Sequence, residues 1–113
     1  MSIPVPLDEL GGKLADFPVC LVLTDGGERP HLVAVAPSFV DGVFRCEVGR
    51  STRRNAAAHG GAVTLAFPPA APTGWTLVVD AVLDGGVDGN DGLVTIRPLR
   101  GVLHRPAISQ EQT

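Results

Sequence analysis

No apolar run among the 113 residues approaches the length of about 20 that spans a bilayer as a helix. The opening residues, Met1-Ser2-Ile3-Pro4, also lack the basic and apolar regions of a secretory signal. Positive charge does not dominate: nine Lys and Arg against twelve Asp and Glu leave a net charge of −3. That balance excludes bulk attraction to nucleic acid or to a membrane surface. Cysteine is scarce, and Cys20 and Cys46 are far apart in apolar, strand-like stretches. Two buried, reduced thiols and a cytoplasmic protein are the expectation. The three histidines, His31, His59 and His104, share no metal-ligand spacing, so no metal site is expected. No nucleophile–base arrangement, Walker loop or dinucleotide glycine fingerprint is present, which leaves the catalytic residues unknown.

What is present is a succession of short β-type segments. At this length, with 44% apolar residues, the chain reads as one domain over residues 1–113 that buries about two-thirds of its unfolded surface. Leu7, Leu10, Leu14 and Phe17 recur at helical spacing, and Pro18 stops them, so residues 1–18 read as an N-terminal helical segment. Val19–Thr24 is continuously apolar and reads as a strand buried on both sides. After the turn Asp25–Glu28, His31–Ala36 is again apolar on both faces and is expected at the centre of the sheet. Asp41-Gly42 marks a hairpin turn, and Val43–Val48 alternates, with Phe44, Cys46 and Val48 facing one way. Ala62–Phe67, Trp75–Asp84 and Leu93–His104 complete six predicted strands. They are separated by the proline loop Pro68–Gly74 and the glycine- and aspartate-rich turn Gly85–Gly92. Residues 107–113 read as a flexible polar tail. Six short strands with one or two short helices predict a mainly β barrel or sandwich. Strands apolar on both faces predict that a second copy covers part of the outside, as a homodimer.

The stretch from Gly49 to His59 stands apart. Ser51 or Thr52 can cap a helix, the alanines behind them favour it, and Gly60-Gly61 end it. The positive end of a helix normally collects acids, yet this one carries Arg50, Arg53 and Arg54 and no acid. Free N–H groups, a hydroxyl and guanidinium forks together describe a phosphate site. The plainer reading is three solvated arginines on a small helix.

With its elements in this order, the chain resembles the pyridoxamine 5′-phosphate oxidase-like, FMN-binding split-barrel family, over nearly all of Val19–Pro106. The resemblance rests on Asp25-Gly26-Gly27-Glu28-Arg29-Pro30-His31, Asp41-Gly42-Val43-Phe44, Gly49–Asn55, Gly74–Asp80 and Thr95–Pro106. It implies a six-stranded split β-barrel that dimerises and binds FMN at the dimer interface. The family's phosphate-binding serine falls on Ser51, its second basic residue on Arg53, and its first on Thr52, with Arg50 as a neighbouring source of charge. His31 stands where the family has a phosphate-binding arginine, and Arg54 is a further candidate. Ala36 replaces the lysine that holds the substrate phosphate in true pyridoxamine-phosphate oxidases, and the C-terminal Arg-x-His pair is missing. The implied function is therefore a flavin-dependent oxidoreductase other than a vitamin B6 oxidase. The rival readings are a deazaflavin- or haem-binding relative, and a cofactor-free dimer with a binding or sensing role.

Other polar residues have structural expectations. Asp80, in an apolar strand, should pair with Arg97 or Arg100. Trp75 should pack at a strand start, His59 should serve as a helix-dipole partner, and His104 should finish a strand.

Overall fold

The computed structural model describes residues 1–87 and 90–106. Alternation decides the sheet. In Val43–Glu47, Phe44 and Cys46 are buried while Arg45 and Glu47 are exposed, the period-two pattern of a strand with one face on a core. The strands are β1 (Ser2–Val5), β2 (Cys20–Asp25), β3 (Pro30–Val35), β4 (Ser38–Val40), β5 (Val43–Glu47), β6 (Ala62–Phe67), β7 (Thr76–Val87) and β8 (Asn90–His104). Two helices accompany them, α1 (Leu10–Leu14), entered through a 3-10 turn at Leu7–Glu9, and α2 (Arg50–Ala58). All six predicted strands are found, together with two short ones, β1 and β4, that their prolines and brevity conceal. The expected turn Gly85–Gly92 lies partly, and the tail Ala107–Thr113 wholly, outside the described residues.

The strands form one curled antiparallel sheet in the order β3-β2-β6-β7-β8-β5-β4, with β1 also paired to β8. Asp41 and Gly42 have φ of 54° and 79°, so a two-residue turn with both positions left-handed joins β4 to β5, as Asp-Gly signals. The core lies inside the curl. Val22, Phe44, Leu65, Leu77, Val79, Val94 and Ile96 are at most 1% exposed. Burial of each such side chain is worth roughly 1.5–3 kcal/mol. Leu10 is the one buried residue of α1 and fixes that helix over the core.

The position of β3 differs from the expectation. It pairs only with β2 and forms an edge of the sheet, not its centre. Its inward residues, His31, Val33 and Val35, are half-buried, while Leu32 on the outward face is 54% exposed. Apolar residues on both faces do identify a strand, but they do not say whether the cover comes from the same chain. Since β3 and β4 are the two ends of the sheet path, the curl leaves an open seam between them, and beyond the short β4 the end of β5 faces β3 across it. The start of α2 lies on that seam.

Candidate functional site

Gly49, extended at φ −76° and ψ 170°, occupies the N-cap position of α2. The helix therefore begins earlier than a Ser51 or Thr52 cap would place it, and no side chain caps it. Glycine is an accepted N-cap residue, a signal the hydroxyls obscured. The first helical bond runs from the Arg53 N–H to the Gly49 carbonyl at 3.2 Å. The N–H groups of Arg50, Ser51 and Thr52 thus have no acceptor within the helix, and no acid lies in its first turn. Thr52 is 1% exposed, and its Oγ1 has no hydrogen-bond partner among the described residues. An unsatisfied buried hydroxyl costs about 1–3 kcal/mol.

Across the seam, β3 supplies the opposite wall. A cavity of about 300 Å³ is bordered by His31, Val33 and Val35 on one side and by Glu47, Arg50, Ser51 and Thr52 on the other. His31 pairs with Thr24 in the β2–β3 ladder, which turns its ring inward. Its Nδ1 is buried without a partner among the described residues. The first turn of α2, with Arg50, Ser51 and Thr52, and His31 of β3 therefore border one space at the positive end of a helix. A helix start of this kind suits an oxyanion. The charged groups on the lining are Arg50 and Glu47. The alternation of Val43–Val48 put Glu47 on the outward face, and nothing in that pattern shows that the outward face looks toward β3.

Four of the six residues expected in the site are thus together, and two are not. Arg53 lies one position beyond the cavity and borders a separate one with Gly61, Val82 and Leu83, its Nε buried without a partner. Arg54 is exposed. Arg50, Arg53 and Arg54 lie three and four positions apart, so they share a helix face, but of the three Arg50 alone borders this cavity. The far end of α2 is pinned separately. Asn55 Nδ2 donates to Thr24 Oγ1 at 3.2 Å, while the His59 ring meets the Asn55 carbonyl at 3.0 Å and the Asp25 carboxylate at 3.2 Å. These contacts, absent from any motif, hold the helix against β2.

The remaining polar expectations resolve structurally. Asp80 pairs with Arg100 at 3.4 Å and Asp84 with Arg97 at 3.4 Å. The Asp80 side chain is 48% exposed rather than buried, so the pair is worth at most about 1 kcal/mol. Trp75 lies under the Arg105 guanidinium, 4.8 Å from the ring centre, and His104, the last residue of β8, meets Ser2 Oγ at 2.9 Å. No group of three His, Cys, Asp or Glu among the described residues could hold a metal ion, and no helix among them is long and apolar enough to cross a membrane.

Cys20 and Cys46 are buried, free thiols. Burial pushes Cys20 up to about 12, with the nearby Cys46 adding to the rise, and burial pushes Cys46 to about 11. Both are therefore neutral and unreactive near pH 8. A thiol reagent such as dithionitrobenzoate should label neither in the folded protein and both after denaturation. Rapid labelling of the native protein at pH 8 would show an open route to the core. Because the folded values lie above the ordinary 9.0, stability should hold below pH 9.0 and fall as pH rises through the folded values of about 11 and 12.

A curled antiparallel sheet, open along one seam, with the start of α2 on that seam, is a split barrel. No family model matches the sequence. The chain is 36% identical to an uncharacterized protein of Mycobacterium bovis and, equally, to one of Mycobacterium tuberculosis, over 96% of its own length and 86% of theirs. Among solved structures, it resembles the FAD-binding protein from Mycobacterium smegmatis with a TM-score of 0.65 at 15% identity, covering 93% of this chain and 100% of that one. A candidate pyridoxamine 5′-phosphate oxidase from Corynebacterium glutamicum gives 0.65 at 11% identity, covering 94% and 100%. A FAD-binding protein from Mesorhizobium loti gives 0.63 at 13% identity, covering 91% and 96%. The chain has the split-barrel fold of these structures, and by sequence it belongs to one family with the two mycobacterial proteins.

Proposed function

We propose that the protein binds a flavin through its phosphate at the start of α2, with FMN as the cofactor, and serves as a flavin-dependent oxidoreductase. The observation that carries the reading is the buried, partnerless hydroxyl of Thr52 on a cavity it shares with Arg50, Ser51 and His31. These groups fit a phosphate: amides and hydroxyls donate to its oxygens, and Arg50 and the helix dipole balance its charge. A bound flavin supplies hydride or electron transfer through its ring. The chain's own part is to hold the phosphate, fix the orientation along β3 and keep the anion from bulk water. The FAD-binding descriptions of two structural neighbours support a flavin.

The test is a visible spectrum of the purified protein, followed by titration with FMN and riboflavin. FMN should bind at least tenfold more tightly, since a charge-assisted phosphate hydrogen bond is worth about 1.5–3 kcal/mol. Equal affinity for the two would remove the phosphate from the site. A haem Soret band, or no binding of any flavin, would favour the rival readings.

The same reading includes a second copy of the chain. Leu23 and Leu32 are direct partners across β2 and β3 and share the outward face with Val19. They are 37%, 54% and 46% exposed, an apolar patch on an unpaired edge that a monomer has reason to cover. Sedimentation should give twice the chain mass, and Leu32→Asp should return it to a single chain. A monomeric wild-type protein at micromolar concentration would remove the dimer.

A further inference from the structure

The chain has four phenylalanines, and all four border one cavity. Phe44 of β5 and Phe67 of β6 form its buried side, at 1% and 2% exposure. Phe39 of β4 and Phe17, beyond the end of α1, are half-buried around it. Ring centres lie 4.6 Å apart for Phe39 and Phe44, 6.0 Å for Phe44 and Phe67, and 6.4 Å for Phe17 and Phe67, all tilted or edge-on. Rings so close would fill the space between them in an ordinary close-packed core. Here they leave about 500 Å³, well within the range of about 300–1,000 Å³ usual for ligand pockets. Small residues keep it open. Gly11 borders it from within α1, where glycine weakens a helix relative to alanine. A Cβ at Gly11 would meet only Phe39, at 3.5 Å, which is ordinary contact, so neither crowding nor a left-handed backbone calls for glycine there. A longer side chain at 11 would lie over the Phe39 ring. No Asp, Glu, Lys, Arg or His among the described residues borders this space, and the one side-chain donor on its lining is the Cys20 thiol. A ligand carrying charge would therefore be buried there unpaired, at high cost. The polar edge of a flavin ring would meet the same want of partners. The cavity belongs to the core face of the sheet, whereas Leu23 and Leu32 lie on the outward face, so a second copy seated on that patch meets a different surface.

We propose that this cavity is a second binding site, for an uncharged, apolar aromatic molecule held among the four phenylalanine rings. Tilted and edge-on rings offer such a molecule both the faces and the edges that aromatic pairs favour. Binding is non-covalent and driven by removing apolar surface of ligand and cavity from water. It does not depend on the flavin-phosphate reading, because no residue borders both cavities.

The experiment is fluorescence titration of the full chain with N-phenyl-1-naphthylamine, an uncharged probe that brightens in apolar surroundings. Binding should saturate at one probe per chain. Gly11→Leu fills the cavity beside Phe39 and should weaken binding about tenfold or more. Ala15→Leu, on the same lining, should act likewise. Gly12→Leu is the control: it does not border the cavity, a Cβ there would meet nothing within 4 Å, and its affinity should be that of wild type. Leucine favours a helix over glycine, so the urea midpoints of the two glycine variants should not fall below wild type. Naphthalene should displace the probe, 2-naphthoate should do so about tenfold less well or worse because of its charge, and riboflavin should not displace it. Absence of saturable binding, or wild-type affinity in both Gly11→Leu and Ala15→Leu, overturns the proposal. Equal displacement by 2-naphthoate overturns the uncharged class, and displacement by riboflavin gives the cavity to the flavin ring instead. None of these results bears on whether FMN binds more tightly than riboflavin at the start of α2.

Discussion

Replacing Thr52 by valine should make the free protein more stable and its grip on FMN weaker. Valine has nearly the shape of threonine without the hydroxyl, and that hydroxyl is buried at 1% exposure with no partner. Removing it relieves the desolvation of a lone polar group, about 1–2 kcal/mol on mutational scales. Thermal or urea unfolding without ligand should show the gain. The same change deletes a donor from the phosphate cavity and should cost about tenfold or more in FMN affinity, with riboflavin unaffected. The opposite signs are the point, because a hydroxyl with a purely structural role would lose stability on removal. A destabilised Thr52→Val would show that the hydroxyl is satisfied within the protein, and an equal loss for both flavins would detach it from the phosphate.

Gly61→Ala should be the more damaging change, removing about 3 kcal/mol or more, a large part of a small domain's stability. Gly61 has φ 90°, where an L side chain is strained, and a Cβ there would lie 2.8 Å from the Leu83 carbonyl oxygen and 2.9 Å from Val82 Cγ1. It also closes α2 with an N–H bond to the Ala56 carbonyl at 2.7 Å and accepts the Leu83 N–H at 2.8 Å. Gly60 is the internal control. Its φ of 65° is a left-handed value that asparagine tolerates, and nothing lies within 4 Å of its would-be Cβ. Gly60→Asn should be within about 1 kcal/mol of wild type. Comparable denaturation midpoints for the two variants would mean that the contact with β7 is not tight.

Much of this architecture is legible in the sequence, for definite reasons. Val43–Glu47 alternates, Asp41-Gly42 takes a turn that needs two left-handed residues, and the Ala-rich stretch before Gly60-Gly61 makes a helix with a glycine end. Each is a local rule acting within a few residues. The strand Ser2–Val5 escapes because Pro4 disguises it, and Ser38–Val40 because it is three residues long. The misplacement of β3 has another cause. Leu32 and Ala34 look like core residues, but whether an outward apolar face meets the same chain or another is a tertiary fact. The site divides in the same way. The acid-free helix start can be read directly, whereas the meeting of His31 with Thr52 depends on the curl of the sheet, and only family resemblance linked them in advance. Arg53 and Arg54 share a segment with Arg50 but do not border its cavity.

The last strand carries a consequence for how the molecule is made. β8 is hydrogen-bonded to β7 along one side and to both β5 and β1 along the other, so residues 2–5 meet residues 101–104. A chain emerging from the ribosome can assemble β2, β3, β6 and β7 early, but residues 2–5 must wait for residues 101–104 to be synthesised. Closure is therefore a late, long-range event of the kind that slows folding, and nascent chains halted before β8 would present bare strand edges to chaperones and to one another.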